Sequence, residues 1–403
     1  MREIKTFSAH DLKHKKEMPM KSRNLDTNYK NLIVSLILYT LIAGFGAWRG
    51  FVMLYYLMPG LSAKLYIGGY LLVCTALPLG FFLPHNKISK ALDIFGNYWL
   101  CFQLTFFFGS LVEWSVKLIT VNLLAVLTKT QYAKVSMVIF FATAIATIYG
   151  IIHARVIHIN RYDCPVRKPG IQGGNLTIVH LSDLHLGSIN DYKAMKKVVE
   201  QVNTISPDLI CITGDTFTEN IKDIFEREEI EELFRSLKSK YGVFACLGNH
   251  DSGSDFSEML KFFKNAGIQL LCEEGVELDG ILLYGRTDMT PGGDLTHRRK
   301  AIEESLRDVE KNQVIIVMDH QPGDIENSQK AGVDLLLSGH THGGQFFPVH
   351  RMVRRIFPHY FGCRQYEQMY SIISSGTCTA VPPIRIGSDS EIVVITVRGS
   401  GND

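Results

Sequence analysis

Two histidines at alternate positions, His340 and His342, follow a short apolar run late in the chain. The run, residues 335–337, is typical of a buried strand. Alternate residues in an extended turn point to the same side, so the two imidazole rings can face one point in space. The glycines at 343 and 344 allow a ligand to approach the backbone closely. By itself the stretch is equally consistent with two surface histidines in a loop.

Four earlier strands of the same region also end in polar side chains of metal-binding types. The residues that follow the five strand ends are Asp183 and His185; Asp215; Asn249, His250 and Asp251; Asp319 and His320; and His340 and His342. In α/β sheets, ligands bind in the crevice outside the carboxyl ends of the strands. An acid after one strand is common in turns, but five such ends in succession are poorly explained by turns. Carboxylate, amide and imidazole donors without thiolate favour Mn, Fe or Zn over Ca.

The elements that must position these residues alternate between strands and helices from about residue 175 to 398. Strands are predicted at 176–181, 208–213, 242–247, 314–318, 334–337, 369–373 and 392–397, with helices at 191–205, 226–240 and 254–266. Asp279 and Gly280 separate two apolar runs and predict a hairpin. The alternation predicts an α/β fold, with the five polar strand ends on one sheet edge.

These residues resemble the motifs of the calcineurin-like metallophosphoesterase superfamily. The pattern of that family, D-x-H, GD, GNH with an acid after it, an isolated H and GHxH, occurs here in the same order, and the resemblance covers essentially 175–398. The stretches GHTHGGQ and SSGT…PPIRIGSDSEIVVITV are similar to those of a membrane-associated subgroup. The resemblance implies a β-sandwich flanked by helices, in αββα layers. One departure is Thr218, where the family often has an acid; Glu219 comes one residue later.

The resemblance also implies a site for two divalent metal ions, Mn, Fe or Zn, held by residues at the five strand ends. The residues expected at the first metal are Asp183, His185, Asp215 and His342. The residues expected at the second metal are Asp215, Asn249, His320 and His340. The carboxylate of Asp215 would bridge the two ions, and a bridging water, as hydroxide, would attack phosphorus in line.

His250 and Asp251 are expected to be catalytic rather than metal ligands. In the family, the histidine at the position of His250 faces the substrate and assists the leaving oxygen, and Asp251 would orient its ring. A structural role for His250 is the alternative. Asp319 is expected to be an ordinary strand-end residue, and His180, inside the first strand, is expected to pack in the core.

The chain before residue 155 contains four long apolar segments, at about 31–48, 65–83, 97–120 and 135–153. Each approaches the roughly 20 residues that a helix needs to cross a bilayer, and together they predict a four-helix transmembrane region over residues 31–154. Glu113 is the one acid well inside a segment. Lys117 lies four residues later, so an ion pair at the membrane surface is favoured over a functional intramembrane acid.

The distribution of basic residues predicts the orientation of these helices. Residues 1–30 are strongly basic and are predicted to be a disordered cytoplasmic arm without a cleavable signal peptide. The basic loop at 87–90 and the basic exit after 155 would lie on the same side as the arm, which places the catalytic domain in the cytoplasm. Residues 155–174, with several prolines and glycines, are predicted to be a linker, and residues 175–403 the catalytic domain.

Composition argues against two kinds of binding site. The net charge of the 403-residue chain is +2, so a basic excess typical of nucleic-acid binding is absent. The eight cysteines show no CxxC spacing, which argues against a cysteine zinc site, and their scattered positions suit a reducing compartment. Only Cys363 and Cys378 look like a plausible pair.

Two loops are candidates for substrate selection. Residues 287–299 contain glycine and proline and end in His297, Arg298 and Arg299. Residues 350–364 interleave arginine with phenylalanine and tyrosine, which beside a membrane region suggests contact with anionic lipid headgroups. A solvated, partly packed loop is the alternative for this second stretch.

The residues and the resemblance together predict a membrane-anchored, dimetal-dependent hydrolase of a phosphoester or pyrophosphate bond. Its expected substrate is a phosphorylated small molecule or lipid; relatives include hydrolases of nucleotide-linked diacyl sugars in lipid A synthesis. A membrane receptor or scaffold that keeps the fold without turnover is one alternative, and it would be expected to lack metal ligands. A transporter with a regulatory domain is another, and it would call for more polar residues inside the membrane segments.

Overall fold

The computed structural model describes residues 23–123, 129–168, 174–218, 221–252, 255–289, 299–310 and 312–399. Most of the basic arm predicted at residues 1–30 therefore lies outside the described residues. So does the predicted substrate loop 287–299, apart from its first three residues and its last.

The described part of the chain opens with five helices. They are α1 (Arg23–Leu57), α2 (Ala63–Cys74), α3 (Ala76–Phe82), α4 (Lys87–Leu123) and α5 (Lys129–His153). Four spans are long and apolar enough to cross a membrane: Leu32–Tyr55, Ala63–Phe82, Lys87–Val116 and Lys134–His153. They match the four predicted segments to within about ten residues. The part of α1 up to Leu41 is a separate unit, and the contacts below lie in the unit that begins at Ile42.

Glu113 lies buried where three of these helices meet. Its carboxylate forms an ion pair with Arg49 of α1, with 2.6 Å between Nη2 and Oε2, and accepts a hydrogen bond from Ser136 of α5. The side chain of Lys117, the predicted partner, lies outside the described residues. Glu113 is only 4% exposed, so it joins helices inside the bundle rather than lying at its surface.

Twelve strands and six helices form the rest of the described chain. The strands are β1 (Ile157–Val166), β2 (Asn175–Leu181), β3 (Leu209–Thr213), β4 (Val243–Cys246), β5 (Ile268–Leu270), β6 (Glu274–Leu278), β7 (Ile281–Gly285), β8 (Val314–Met318), β9 (Leu335–Ser338), β10 (Gly362–Tyr366), β11 (Met369–Ile373) and β12 (Ser390–Gly399). The helices are α6 (Tyr192–Ile205), α7 (Arg227–Arg235), α8 (Phe256–Asn265), α9 (Ile302–Ser305), α10 (Ile325–Lys330) and α11 (His350–Ile356).

The strands form two six-stranded sheets that pack face to face. The first has the order β1-β12-β2-β3-β4-β5 and the second the order β10-β11-β9-β8-β7-β6. A buried apolar layer joins them, with Ile178 and Cys211 from the first sheet and Ile316 and Leu337 from the second. Helices α6, α7 and α8 cover the outer face of the first sheet, and α9 and α10 cover the second. The predicted αββα sandwich is confirmed, as is the hairpin between β6 and β7.

The predicted linker contains a strand that the sequence did not reveal. Residues Ile157–Val166 pair in parallel with β12 at the edge of the first sheet. Only Cys164 and Val166 of this strand are buried, so its apolar alternation is weak. All eight cysteines are free. Cys363 lies beside Cys164 rather than joining Cys378.

Candidate metal centre

The five polar strand ends meet, but they come from two sheets rather than one. Strands β2, β3 and β4 are parallel neighbours in the first sheet, and β8 and β9 are parallel neighbours in the second. The two sheets face each other, and the carboxyl ends of these strands lie at the same end of the sandwich. The site therefore lies at that end, between the two sheets. The sequence predicted a single sheet edge, which is wrong.

The first group of donors joins β2 to β9. Asp183, His185 and His342 each place a ligand atom within 4.8 Å of the other two. The Nε2 atoms of His185 and His342 are 3.1 Å apart, and Nε2 of His342 is 3.3 Å from Oδ1 of Asp183. All three residues are buried. Two imidazole nitrogens and a carboxylate oxygen converging in this way are a donor set suited to one divalent cation.

The second group joins β3 to β8 and β9. Asp215, His320 and His340 also place ligand atoms within 4.8 Å of one another. Nε2 of His320 is 3.1 Å from Oδ2 of Asp215 and 3.2 Å from Oδ1 of Asn249. The same Oδ2 of Asp215 is 3.9 Å from Nε2 of His185. The carboxylate of Asp215 therefore lies between the two groups, where one oxygen-bearing side chain can serve both.

The hydrogen bond made by Nδ1 of His320 fixes the tautomer of the neutral ring, and with it whether Nε2 is a donor or an acceptor. Nδ1 is 2.8 Å from the carbonyl oxygen of Thr213, which can only accept, so Nδ1–H donates to it. In the neutral ring, Nε2 then carries a lone pair that faces the oxygens of Asp215 and Asn249. Facing acceptors repel unless a proton or a cation lies among them, so this part of the site fits a metal ion.

The backbone at the proposed ligands is strained. Asp183, His185, Asp215, His340 and His342 all have a positive φ, between 44° and 71°. Non-glycine residues rarely adopt this left-handed conformation, and each costs of order 1 kcal/mol or more. Strain of this kind persists only where the surrounding structure enforces it, and it concentrates at functional sites. The five residues are therefore held in place by the fold and not by local preference.

Two motif glycines make room for these ligands. A Cβ atom at Gly339 would lie 1.7 Å from Oγ of Ser182 and 2.4 Å from Oδ2 of Asp183. A Cβ atom at Gly248 would lie 2.2 Å from Oδ1 of Asp215. Both glycines therefore permit a neighbouring strand end to approach the carboxylates that the metal ions would bind.

Electrostatics keeps most of these groups in the protonation state that metal binding needs. Burial would raise the pKa of Asp183, but the adjacent His342 and other histidines lower it well below its usual range. Burial would also raise the pKa of Asp215, but the charge and hydrogen bond of His320, together with other histidines, outweigh burial and lower it. Burial lowers the pKa of His185 to about 3. At His320, burial lowers the pKa but Asp215 outweighs it and raises the value well above normal, so a proton competes with a cation there.

His250 lies beside the first group, and its ring centroid is 5.2 Å from that of His185. Nδ1 of His250 is 2.6 Å from the carbonyl oxygen of Thr218, so Nδ1–H donates and Nε2 is directed elsewhere. The hydroxyl of Thr218 donates to the carbonyl oxygen of His185. Thr218, which differs from the common family residue, thus links the two histidines through its own backbone and side chain.

The structure corrects the expected role of Asp251. Its carboxylate accepts hydrogen bonds from the backbone N–H groups of Gly248 and Phe217, at 2.9 and 3.0 Å. It does not hydrogen-bond to the ring of His250. Burial raises the pKa of Asp251 to about 7. Asp251 therefore holds the loop after β4 against the loop after β3, and the orientation of His250 comes from Thr218.

Three further residues have hydrogen-bond partners that the sequence did not reveal. Asp319 is not merely a strand end, because Arg286 and Arg299 both donate to its buried carboxylate. Arg299 also donates to the carbonyl oxygen of Thr287, so the cluster ties down both ends of the 287–299 loop. His180 is buried in the core as predicted, with Nε2 2.7 Å from Oγ1 of Thr213.

Arg385 was missed by the sequence analysis. It is 0% exposed, and its guanidinium donates to backbone carbonyls that include His342 O, at 3.2 Å. Its own backbone N–H donates to the carbonyl oxygen of Gly150 in α5. The one available signal was a lone arginine between isoleucines 384 and 386, in a stretch that otherwise reads as apolar.

Comparison with known proteins agrees with this geometry. Residues 176–344 match the family described as calcineurin-like phosphoesterase. An uncharacterized metallophosphoesterase of Aquifex aeolicus is 32% identical over 254 residues, which cover 61% of this chain and 96% of that protein. The chain belongs to the calcineurin-like metallophosphoesterase family. Membership indicates a metal-dependent phosphoester hydrolase, and the two donor groups are its candidate metal-binding residues.

Other relatives extend the likeness toward the membrane. A transmembrane protein with metallophosphoesterase domain from Danio rerio is 28% identical over 277 residues, 64% of this chain and 61% of that protein. The chain thus spans about three fifths of that relative. Relatives of this type and the four apolar helices indicate association with a membrane. Among solved structures, a 5'-nucleotidase precursor from Thermus thermophilus is 16% identical, with a TM-score of 0.34 over 55% of each chain.

Proposed function

We propose that this protein is a membrane-embedded phosphoesterase that hydrolyses a phosphoester or pyrophosphate bond with two divalent metal ions. The observation that carries the proposal is the pair of donor groups with Asp215 between them. A carboxylate between two donor groups suits a pair of ions, and two ions about 3.5–4 Å apart form the usual clamp for phosphoryl transfer.

The donor set fits the proposed ions. Asp183, His185 and His342 would hold one ion, and His320, His340 and Asn249 the other, with Asp215 serving both. Bound divalent cations of the Mn, Fe or Zn type supply Lewis acidity, which neutralises the phosphoryl oxygens and activates water. The surrounding fold enforces the strained backbones of the ligands and buries their carboxylates, so the donors are in place before substrate arrives.

His250 is proposed as the residue that supplies a proton to the leaving oxygen. The bond from Nδ1–H to Thr218 O leaves Nε2 as the atom that can carry the transferred proton. The ring lies against His185, so a phosphoryl group bound between the donor groups would come within its reach. Asp251 contributes by fixing the loop on which His250 lies.

A lipid-linked substrate is the finer part of the proposal, and the surface beside the site supports it. The ring of Phe357, directly after α11, meets the ring of His340 edge-on at 5.8 Å between centroids. Phe347 and Ile356 nearby are 52% and 69% exposed, and α11 carries three arginines, at 351, 354 and 355. Exposed apolar side chains interleaved with arginines suit an anionic lipid surface.

The proposed arrangement in the membrane is four crossings with the catalytic domain, residues 175–403, in the cytoplasm. Near the start of α4, Nζ of Lys90 is 3.4 Å from Oε1 of Glu226 in the catalytic domain. At the end of α5, Nε2 of His153 is 2.7 Å from Oδ1 of Asp389. Both ends therefore face the catalytic domain, as an up-and-down course of the helices requires. The basic residues on this side favour the cytoplasm.

The experiment uses the full chain purified in detergent. Its metal content is measured, and hydrolysis is tested with a phosphomonoester, a phosphodiester, a nucleotide-linked lipid and an isoprenoid pyrophosphate. We expect two divalent ions per chain and at least one hydrolysed substrate. Asp215→Asn should lose bound metal and at least a hundredfold in rate, because both groups depend on this carboxylate.

Asp163→Asn is the matched control, because Asp163 is a half-exposed carboxylate on the edge strand β1. It should retain both metal ions and full activity. Undiminished turnover in Asp215→Asn, with metal still bound, would overturn the mechanism. Hydrolysis of water-soluble esters alone would support the phosphoesterase activity but rule out the lipid-linked substrate.

A further inference from the structure

A cavity lies between the membrane helices and the catalytic domain. Its volume is about 270 Å³. Its walls come from α4 and α5, from the loop that precedes α6 and the first turns of that helix, and from residues 377–383. Residues on all of these elements face the cavity, and none of them is one of the proposed metal ligands.

Three cationic side chains face this cavity from opposite walls. Lys193 and Lys197 lie one turn apart on α6, so they project on the same face of the helix. Arg155 lies just beyond α5, and its guanidinium donates to the hydroxyl of Tyr98 at 2.6 Å. Among the described residues, no acidic side chain forms an ion pair with any of the three. One carboxylate, that of Asp191, also lines the cavity, but its Oδ1 caps the first turn of α6.

Another wall of the cavity is formed by apolar residues of the membrane helices. Ile94 of α4 and Ile151 of α5 line the cavity. Next to Ile151 on α5, Ile148 and Ile152 are 59% and 61% exposed. A cationic pocket that opens onto an exposed apolar helix suits an amphiphile whose head is anionic and whose tail is hydrocarbon.

The cavity also touches the segments that carry metal ligands. Asn190, which lines it, donates to the carbonyl oxygen of His185 at 3.0 Å and to that of Thr379 at 2.9 Å. The backbone N–H of Cys378, another lining residue, donates to the carbonyl oxygen of Asp183. A ligand in the cavity would therefore rest directly behind the first donor group.

We propose that this cavity binds the headgroup of an anionic phospholipid, with the phosphate between Lys193, Lys197 and Arg155 and the acyl chains along α5. The volume accepts a phosphate and glycerol but not the chains, which the exposed isoleucines of α5 would cover. Binding at this place is independent of turnover. It gives the membrane helices a function beyond anchoring, because they form one wall of the site.

The test measures lipid binding by the full-length protein in detergent. Mixed micelles supply either phosphatidylglycerol or phosphatidylcholine, and native mass spectrometry counts the phospholipid that each protein retains. The wild type should retain phosphatidylglycerol in preference to phosphatidylcholine. The double variant Lys193→Gln/Lys197→Gln should bind phosphatidylglycerol roughly 30-fold more weakly, because each cation near a lipid phosphate contributes about a factor of five.

Lys196→Gln is the matched control. Lys196 lies on the same helix, does not line the cavity and is 3.9 Å from Glu200. It should bind phosphatidylglycerol like the wild type, as should Asp215→Asn, which separates this site from the metal centre. Equal binding by the Lys193/Lys197 and Lys196 variants, or no preference for phosphatidylglycerol, would overturn the proposal. Complete displacement by excess inorganic phosphate would assign the cavity to a soluble anion instead and would equally overturn it.

Discussion

Replacing Arg385 by methionine tests how the loop that carries His342 is held against α5. The side chain is wholly buried, and its guanidinium donates to the carbonyl oxygens of Ser375 and Cys378 at 2.6 and 2.7 Å. It also donates to those of His342 and Gly376, at 3.2 and 3.3 Å. Burial lowers the pKa of Arg385 to about 10, so the group remains charged at neutral pH.

The size of the effect follows from the acceptors that methionine would leave behind. The carbonyls of His342 and Gly376 each keep a backbone N–H donor. Within the described chain, those of Ser375 and Cys378 accept from Arg385 alone. Leaving two buried carbonyl oxygens without a hydrogen-bond donor lowers the free energy of unfolding by about 2–6 kcal/mol. Removing a buried charge offsets part of this cost, so we expect a loss of about 2–4 kcal/mol of unfolding free energy.

Thermal unfolding of the full chain in detergent measures this loss. For a domain of this size, the expected drop in the midpoint is roughly 5–15 °C. Arg398→Met is the control, because Arg398 pairs with Asp163 at the surface and such pairs contribute about 0–1 kcal/mol. The variant at 385 should also release metal more readily, since His342 loses its support. Equal midpoints and equal metal content in the two variants would refute the reasoning.

Three other variants probe separate parts of the molecule. Glu113→Ala should destabilise the protein by about 3–5 kcal/mol by removing the buried partner of Arg49, and adding Arg49→Met should recover much of the loss; a double variant as unstable as the single one would contradict this. Gly339→Ala should abolish metal binding because its methyl group would overlap Ser182, whereas Gly60→Ala, which meets nothing within 4 Å, should not; metal content decides. Burial lowers the pKa of His359 from 6.5 to about 4. Between these pH values the unfolded chain binds a proton at this residue and the folded chain does not, so stability falls as pH drops from about 6.5 toward 4. His359→Gln should flatten that part of a plot of unfolding midpoint against pH.

The sequence was most informative where a feature is local. The four apolar segments are recognisable from length and composition, because a span needs about 20 apolar residues in succession. Strands β8 and β11 have their predicted bounds, since continuous apolar runs between turn residues are local patterns. The polar residues after each strand were identified in order for the same reason, together with the resemblance to the family.

The sequence was least informative where a contact joins distant parts of the chain. Strand β1 has little apolar alternation and exists because it pairs with β12, more than 200 residues later. The division of the strands between two sheets likewise depends on pairing, which one sequence does not display. Nothing near Asp251 indicates that it holds the backbone of Phe217, or that Thr218 orients His250.

The residue types of the candidate metal centre and their order were thus determined by the amino-acid sequence alone. The tertiary structure decided how those residues divide into two donor groups around Asp215, because that division depends on two sheets meeting at one edge. It also decided that Arg385 joins His342 to α5 and that three cations face a cavity beside α4 and α5. These are contacts between residues far apart in the chain, and their geometry exists only once the elements have packed.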